Sequence, residues 1–385
     1  KFSIILTMAT GTGKTITALK ALDYFLKNSS NQNILIPIIC PNDILVNQWS
    51  EELVNCSVLR KNFFSIKNST KKSNTDLLEQ LRLFKDLRKF KIVIFTKESL
   101  KDPRIIKILD RVKEDVFFIV DEIHRIMYED ELNKIKIKEF FSKFQYKIGL
   151  TATASRRVYK EEHEPELYEN NYFGDKSLVE IVNLDEAIKK YKILSPYKYN
   201  CINYYLTYEE FLEGLKLHKK IKGFRKKDDD TNIFNPEVHI YELTQFIHSV
   251  ESKNEKLLSF LNVDVIRKLN KCIFFIPGSH REELHKHFRK LSVSFSHIDA
   301  NTPKSNRASM VEQLEKGIIN IITSHTILDE GINIPSVDSA FITYAAREPR
   351  QGIQRRGRVL RLSDSKNYAQ IYDLICRIDK NFVNQ

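Results

Sequence analysis

Met8-Ala-Thr-Gly-Thr-Gly-Lys-Thr15 decides the fold. An apolar run at 3–6 precedes it, and apolar residues at helical spacing over 16–25 follow it. The stretch therefore reads as a Gly-rich turn between a buried strand and a helix. In that context the N–H groups of the turn and of the helix N-terminus converge on a polyphosphate. Gly11 and Gly13 permit positive φ and close approach of the backbone. Thr10, Gly11, Thr12, Gly13, Lys14 and Thr15 form the expected cradle, with Lys14 reaching the β and γ phosphates and Thr15 ligating Mg²⁺. The strict pattern has Gly where Met8 stands. A chance glycine turn is weighed against this, but it would not bring strand, helix and Gly-Lys-Thr together.

Working outward, the same alternation continues. Segments 33–40, 91–95, 116–120 and 147–150 read as strands, with helical patterns at 43–53 and 75–87 between them. Strands alternating with helices predict a parallel sheet covered on both faces. The alternation returns at 271–276, 295–298, 318–323, 339–343 and 368–375 for strands, and at 281–291 and 304–316 for helices. The fold class is thus α/β in two tandem units. The expected divisions are a first domain over 1–200, a connecting helical segment over 201–260, and a second domain over 261–385. Within the connection, 207–221 is a charged amphipathic helix pattern, and the charge-rich 222–232 reads as a mobile loop.

The run at 116–120 ends in Asp121-Glu122-Ile123-His124. Two carboxylates at a strand end suit metal-assisted hydrolysis. Asp121 would hold Mg²⁺ through its water shell, and Glu122 would orient and deprotonate the attacking water. A solvated acidic pair is the plainer alternative, and the phosphate loop upstream argues against it. His124 reads as a link between the nucleotide and the rest of the site. Gly149-Leu-Thr-Ala-Thr-Ala154 follows another strand, and Thr151 and Thr153 offer hydroxyls beside the carboxylates.

Gln354-Arg-Arg-Gly-Arg-Val-Leu-Arg361 carries four arginines in eight residues. A basic surface patch is the ordinary meaning of such a cluster. Its spacing suggests more: Arg358 and Arg361 share a face if the segment is helical. Planar guanidinium groups bind γ-phosphate oxygens bidentately and stabilise transition-state charge, with Gln354 beside them. Such fingers contribute about 10³–10⁵ in rate. They lie on the second α/β unit, so closure of the two units is expected to complete the site.

Composition narrows the partner. The chain has 385 residues, enough for two or three domains, and 42% hydrophobic residues for their cores. Lys and Arg number 62 against 50 Asp and Glu, a net charge of +12 that favours a polyanion. No apolar run reaches the ~18 residues of a membrane span, and no secretory leader is evident. The five cysteines fit neither a disulfide framework nor a metal pair, so a reducing cytoplasm is expected. The chain begins at Lys1, which suggests a piece of a longer polypeptide with further domains or subunits.

The order Gly-Thr-Gly-Lys-Thr, Asp-Glu-Ile-His, Thr-Ala-Thr, then Gln-Arg-Arg-Gly-Arg-Val-Leu-Arg closely resembles superfamily 2 helicases and translocases of the DExH kind. The finer pattern resembles the branch holding XPB-type helicases and the motor subunits of type I and type III restriction enzymes. It rests on Cys40-Pro41 through Gln48-Trp49, Thr96 to Leu100, Leu328-Asp-Glu-Gly-Ile-Asn-Ile-Pro335 and Arg347-Glu-Pro-Arg350. The resemblance implies two RecA-like domains with ATP between them and a nucleic-acid track across both. It implies that Pro41, Thr96, Pro277, Gly278, Ser279 and Thr323 lie near the phosphodiester backbone, and Gly331 near the nucleotide. Contacts of that kind are largely sequence-independent and salt-sensitive. Only seven residues precede Met8, so the family's upstream adenine-reading segment is not in this chain. Asn333 stands where many relatives carry Asp, and no nuclease signature is present.

The expected function is an ATP-dependent DNA helicase or duplex DNA translocase using ATP and Mg²⁺, with restriction, phage defence or repair as its setting. Two alternatives stand beside it: a DExH RNA helicase, and an ATP-gated DNA-binding scaffold with little turnover. Trp49, Tyr204, Tyr205 and Phe211 read as packing residues. His280, His285, His287 and His297 lack metal-ligand spacing and read as ordinary polar residues.

Overall fold

The computed structural model describes residues 2–29, 33–56, 63–65, 71–82, 90–112, 116–123, 125, 139–152, 178–225, 236–299, 301–325, 337–343, 359–362 and 366–383. Packing divides the chain into two units, Lys1–Tyr191 and Lys192–Gln385.

The first unit runs β1 (Phe2–Met8), α1 (Lys14–Asn28), β2 (Ile34–Cys40), α2 (Asp43–Asn55), β3 (Phe63–Ser65), α3 (Lys71–Arg82), β4 (Phe90–Thr96), α4 (Pro103–Arg111), β5 (Phe117–Val120), β6 (Tyr146–Thr151), β7 (Leu178–Val182) and α5 (Leu184–Lys189). Its strands are all parallel, in the order β3-β4-β2-β5-β6-β1-β7. The sequence of β2, Ile-Leu-Ile-Pro-Ile-Ile-Cys, is buried at every position, as a strand covered on both faces requires. Its side chains alternate between two cores. Leu35 and Ile39 join Phe95, Phe118 and Leu109 on one face. Ile36, Ile38 and Cys40 join Leu22, Trp49 and Leu53 on the other.

Pro37 sits inside this central strand. Pairing of β2 with β5 is seen at Leu35↔Val116, Ile38↔Ile119 and Ile39↔Val120, with a gap at Ile36 and Pro37. Proline has no N–H to give to a ladder. The buried Lys147 on β6 is accommodated by donating to Phe141 O at 2.8 Å and Phe144 O at 3.1 Å. Helix starts are set by side chains. Asn42 Oδ1 accepts from Leu45 N at 3.0 Å, and Asp102 Oδ1 accepts from Arg104 N at 3.0 Å.

The second unit runs β8 (Tyr197–Tyr205), α6 (Tyr208–Arg225), α7 (Pro236–Ser249), α8 (Glu251–Phe260), α9 (Val263–Arg267), β9 (Cys272–Phe275), α10 (Arg281–Lys290), β10 (Phe295–Ile298), α11 (Lys304–Glu315), β11 (Ile321–Ser324), β12 (Ser339–Ile342), β13 (Ala369–Arg377) and α12 (Lys380–Val383). The sheet is again parallel, in the order β10-β11-β9-β12-β13-β8. Phe341 stacks between Phe274 and Tyr372, with centroids 4.3 and 4.4 Å away.

Most expected elements form within a few residues of their expected bounds. The boundary expected at 200/201 between the first domain and the helical connection falls inside β8, which pairs with β13 of the second sheet from Tyr197↔Ala369 to Tyr205↔Arg377. This edge strand reads poorly in sequence because its residues alternate between exposed and buried only at the end, with Tyr204 buried and Tyr205 60% exposed. Tyr205 is therefore not a core residue, whereas Tyr204 and Phe211 are. The strand expected from 318 starts at Ile321, because Gly317 (φ +72°) turns the chain and leaves Ile318 exposed. All five cysteines are free thiols.

Candidate active site

The phosphate loop is built where β1 meets α1. Gly11 and Gly13 both take left-handed φ, +87° and +84°. A Cβ at Gly13 would meet nothing within 4 Å, so conformation and not crowding dictates glycine there. Thr12, buried, donates its hydroxyl to Ala9 O at 2.7 Å and holds the turn. Gly13 caps α1 without any side-chain hydrogen bond, and the first turn has no acidic residue. The first N–H groups of α1 are thus left for an anion. Thr10 Oγ1 is buried with no hydrogen-bond partner among the described residues. Lys14 Nζ donates to Met8 O at 3.1 Å, and Thr15 is half-buried on the first turn of α1.

The carboxylate comes from β5. Asp121 N donates to Ile39 O at 2.9 Å, extending the ladder one residue past the strand. Asp121 is only 6% exposed. Its Oδ2 accepts the indole N–H of Trp49 at 2.8 Å, and its Oδ1 accepts the Glu122 N–H at 2.8 Å. Burial pushes the Asp121 carboxyl above the usual carboxylate range. The Trp49 bond, the nearby Lys14 charge and the Glu122 N–H pull the other way. Glu122, half-buried, has φ +42°, an uncommon conformation for a residue with a side chain. Thr151, fully buried, ends β6 opposite Thr7 of β1.

Strand register brings further expected residues to the same edge. Cys40 and Thr96 are paired, so Pro41 and the 3₁₀ turn Lys97–Lys101 leave adjacent strands. Pro41 and Thr96 are both buried. In the second unit β9 and β11 are neighbours, which puts Pro277, Gly278 and Ser279 near the end of β11. Gly278 and Ser279 are exposed. Thr323 is 0% exposed, and its hydroxyl lies 2.9 Å from both His285 Nε2 and His297 Nδ1. Burial first, then His297, Arg281 and Arg289, push His285 down to about 4. Arg361 is half-buried. Its backbone bridges to Leu194, and its carbonyl accepts from Ser195 Oγ at 3.4 Å. His124, Thr153, Gly331, Gln354 and Arg358 lie outside the described residues.

Sequence reasoning missed the polar role of Trp49. The available signal was the indole N–H: a buried Trp nearly always finds an acceptor for it. It also missed the pair of imidazoles on Thr323, which no sequence spacing reveals.

Two family models match separate parts of the chain: the type III restriction enzyme res subunit over residues 1–156, and the helicase conserved C-terminal domain over residues 252–363. Among curated proteins, the chain is 25% identical over 381 residues to the DNA 3'-5' translocase XPB2 of Sulfurisphaera tokodaii, covering 94% of this chain and 75% of that one. It is 23% identical over 391 residues to the ATP-dependent helicase Lhr-Core of Saccharolobus solfataricus, covering 93% of this chain and 37% of that protein. Similarity to the Saccharomyces cerevisiae protein IRC3 is 23% over 134 residues, covering 34% of this chain and 19% of that one. Among solved structures, the Pyrococcus furiosus Hef helicase domain matches at TM-score 0.59 and 14% identity, over 98% of this chain and 93% of that one. The type ISP restriction-modification enzyme LlaBIII bound to DNA matches at 0.60 and 18%, over 98% of this chain and 26% of that one.

Proposed function

Because the chain belongs to the superfamily 2 helicases, resembling XPB and restriction motor subunits, we propose that it is an ATP-driven motor that moves along DNA. The observation that carries this reading is one sheet edge holding both the Lys14 loop and a buried Asp121 whose ionisation the Lys14 charge favours. The printed name of the XPB2 relative and the DNA in the LlaBIII structure favour DNA over RNA as the track.

The donor set fits Mg²⁺ arriving with the triphosphate. Thr15 and Asp121 offer hard oxygens, and each Asp121 oxygen takes one hydrogen bond and keeps a second lone pair. Among the described residues no cluster of three His, Cys, Asp or Glu could form a separate cage, and Mg²⁺ is usually held by one or two protein oxygens plus phosphates. When bound, Mg²⁺ neutralises charge on the β and γ oxygens.

The protein's own residues do the rest. The α1 N–H groups and Lys14 hold the phosphates, and Thr10 Oγ1, which has no partner among the described residues, gains one. Glu122 orients the attacking water and accepts its proton. Gln354, Arg358 and Arg361 act on the γ-phosphate, and Gly331 lies by the nucleotide. His124, Thr151 and Thr153 couple the nucleotide to the rest of the motor. Pro41, Thr96, Pro277, Gly278, Ser279 and Thr323 line the nucleic-acid track, Thr323 by shaping the strand end around its buried hydroxyl. In domain terms, the first unit, Lys1–Tyr191, carries the ATP-binding core and the second, Lys192–Gln385, the helicase C-terminal core. Further domains or subunits would set the biological role, in a cytoplasmic setting. Among the described residues no helix is long and apolar enough to cross a membrane.

The test is steady-state ATP hydrolysis by the full-length chain with duplex DNA, duplex RNA or neither. Stimulation by DNA supports the reading. Stimulation by RNA alone would replace the track, and tight DNA binding without turnover would make the chain a scaffold.

A further inference from the structure

We propose that Trp49 is a positioning residue of the hydrolysis site, its indole N–H fixing the Asp121 carboxylate in the orientation a divalent cation needs. The inference rests on the ATPase reading above.

Trp49 is 1% exposed, and its Nε1 lies 2.8 Å from Asp121 Oδ2 across 72 residues of sequence. The indole is placed independently of the carboxylate. Val46, Trp49 and Leu53 form one buried face of α2, packed in the core with Ile38, Ile94 and Ile119. The Asn42 cap fixes where α2 begins. The N–H therefore comes from a rigid arm.

Packing alone does not require that N–H, since a phenyl ring would fill most of the same apolar space. The two Asp121 oxygens are held from different elements: Oδ2 by the α2 indole, Oδ1 by the Glu122 backbone N–H at 2.8 Å. Turning the carboxylate breaks both bonds, and the second would be lost beside the residue that handles the water. A hydrogen bond to an ionised carboxylate is stronger than a neutral one. Partners that orient a metal-binding group in this way typically contribute about 10–100-fold to metal affinity or activity.

Trp49 is the single tryptophan of the chain, so its indole N–H gives one resonance in a Trp-labelled sample. Asp121→Ala should move that resonance away from its hydrogen-bonded position. Mg²⁺ with a non-hydrolysable ATP analogue should shift it in the wild type. Trp49→Phe, which keeps the ring and deletes the donor, should lower kcat about 10–100-fold with little change in the KM for ATP. It should also raise the Mg²⁺ concentration needed for half-maximal rate. A purely structural role would lower the melting temperature of Trp49→Phe and leave kcat and Mg²⁺ dependence unchanged, which overturns the proposal. An indole resonance indifferent to Asp121→Ala overturns it equally, even if Trp49→Phe fails to fold. If the wild type hydrolyses no ATP while the resonance still responds to Asp121→Ala, the hydrogen bond stands. Both the ATPase reading and the positioning role then fall.

Discussion

Cys40 and Thr96 face each other on the last rung of the β2–β4 pairing. One strand further along, Ile39 O receives the Asp121 N–H at 2.9 Å. The carboxyl edge of the first sheet therefore carries three adjacent strand ends: β4 with Thr96, β2 with Pro41, and β5 with Asp121. Ligands of open parallel sheets bind at that edge. Of the proposed track residues, Pro41 leaves the strand beside that of Asp121, and Thr96 lies one buried strand further away. That strand, β2, is the one whose pairing with β5 has a gap at Ile36 and Pro37.

The phosphate loop and the carboxylates should separate binding from turnover. Lys14→Ala removes a charge aimed at the phosphates, and about 10²–10³ of kcat should go with it. Glu122→Gln keeps the shape and removes the base, so turnover should fall by about 10²–10⁴ while ATP still binds. Stopped-flow nucleotide binding beside steady-state hydrolysis checks both, and equal loss of binding in Glu122→Gln would contradict the assignment of the base.

Gly13 and Gly278 should answer alanine differently. Neither Cβ would meet an atom within 4 Å, but only Gly13 has positive φ. Gly13→Ala should destabilise by about 1–2 kcal/mol. Gly278→Ala should be neutral or stabilising by up to about 1 kcal/mol. Chemical denaturation of the two variants measures the contrast.

Lys253 predicts a pH dependence. It is 2% exposed, with its ammonium 5.9 Å from the Tyr204 ring centroid, and burial pushes it down to about 7 from its ordinary 10.5. Cys376 and Asp373 pull weakly the other way, and His280 also feels its charge. Between about 7 and 10.5 the unfolded chain holds a proton that the folded chain has lost, so this group's contribution to stability rises with pH across that window. Below about 7 both states hold the proton and the burial penalty is present in full. Lys253→Met should therefore be more stable than the wild type at pH 6, by a margin that narrows as pH rises. Melting temperatures from pH 6 to 9 test this.

Thr323 should behave as a structural residue. Its hydroxyl serves two imidazoles, His285 and His297, and is fully buried. Thr323→Val leaves both ring nitrogens short of a partner and should destabilise by about 1–3 kcal/mol. The slope of DNA affinity against salt, which counts phosphate contacts, should stay unchanged. A reduced slope would mean that the hydroxyl reaches a phosphate.

The glycine turn before α1 and the strand-end place of Asp121 were more legible in the sequence than the fold's edges. The Lys14 loop and Asp121 were legible because their chemistry demands fixed residue types at strand ends. Central strands such as β2 were legible because burial on both faces forces an unbroken apolar run. The edge strands β3 and β8 were not: one is three residues long, and the other is largely exposed. Trp49 and the imidazoles on Thr323 were hidden for another reason. Each depends on partners brought together by the sheet, Trp49 and Asp121 being 72 positions apart. Local pattern contains no information on such pairs.

The central claim is movement driven by hydrolysis. The most direct measurement is displacement of a triplex-forming oligonucleotide from duplex DNA by the full-length chain, with ATP and without. Displacement that requires ATP and disappears in Lys14→Ala and Glu122→Gln is the predicted result. Displacement that proceeds without ATP, or ATP hydrolysis on DNA with none of the oligonucleotide released, would contradict it.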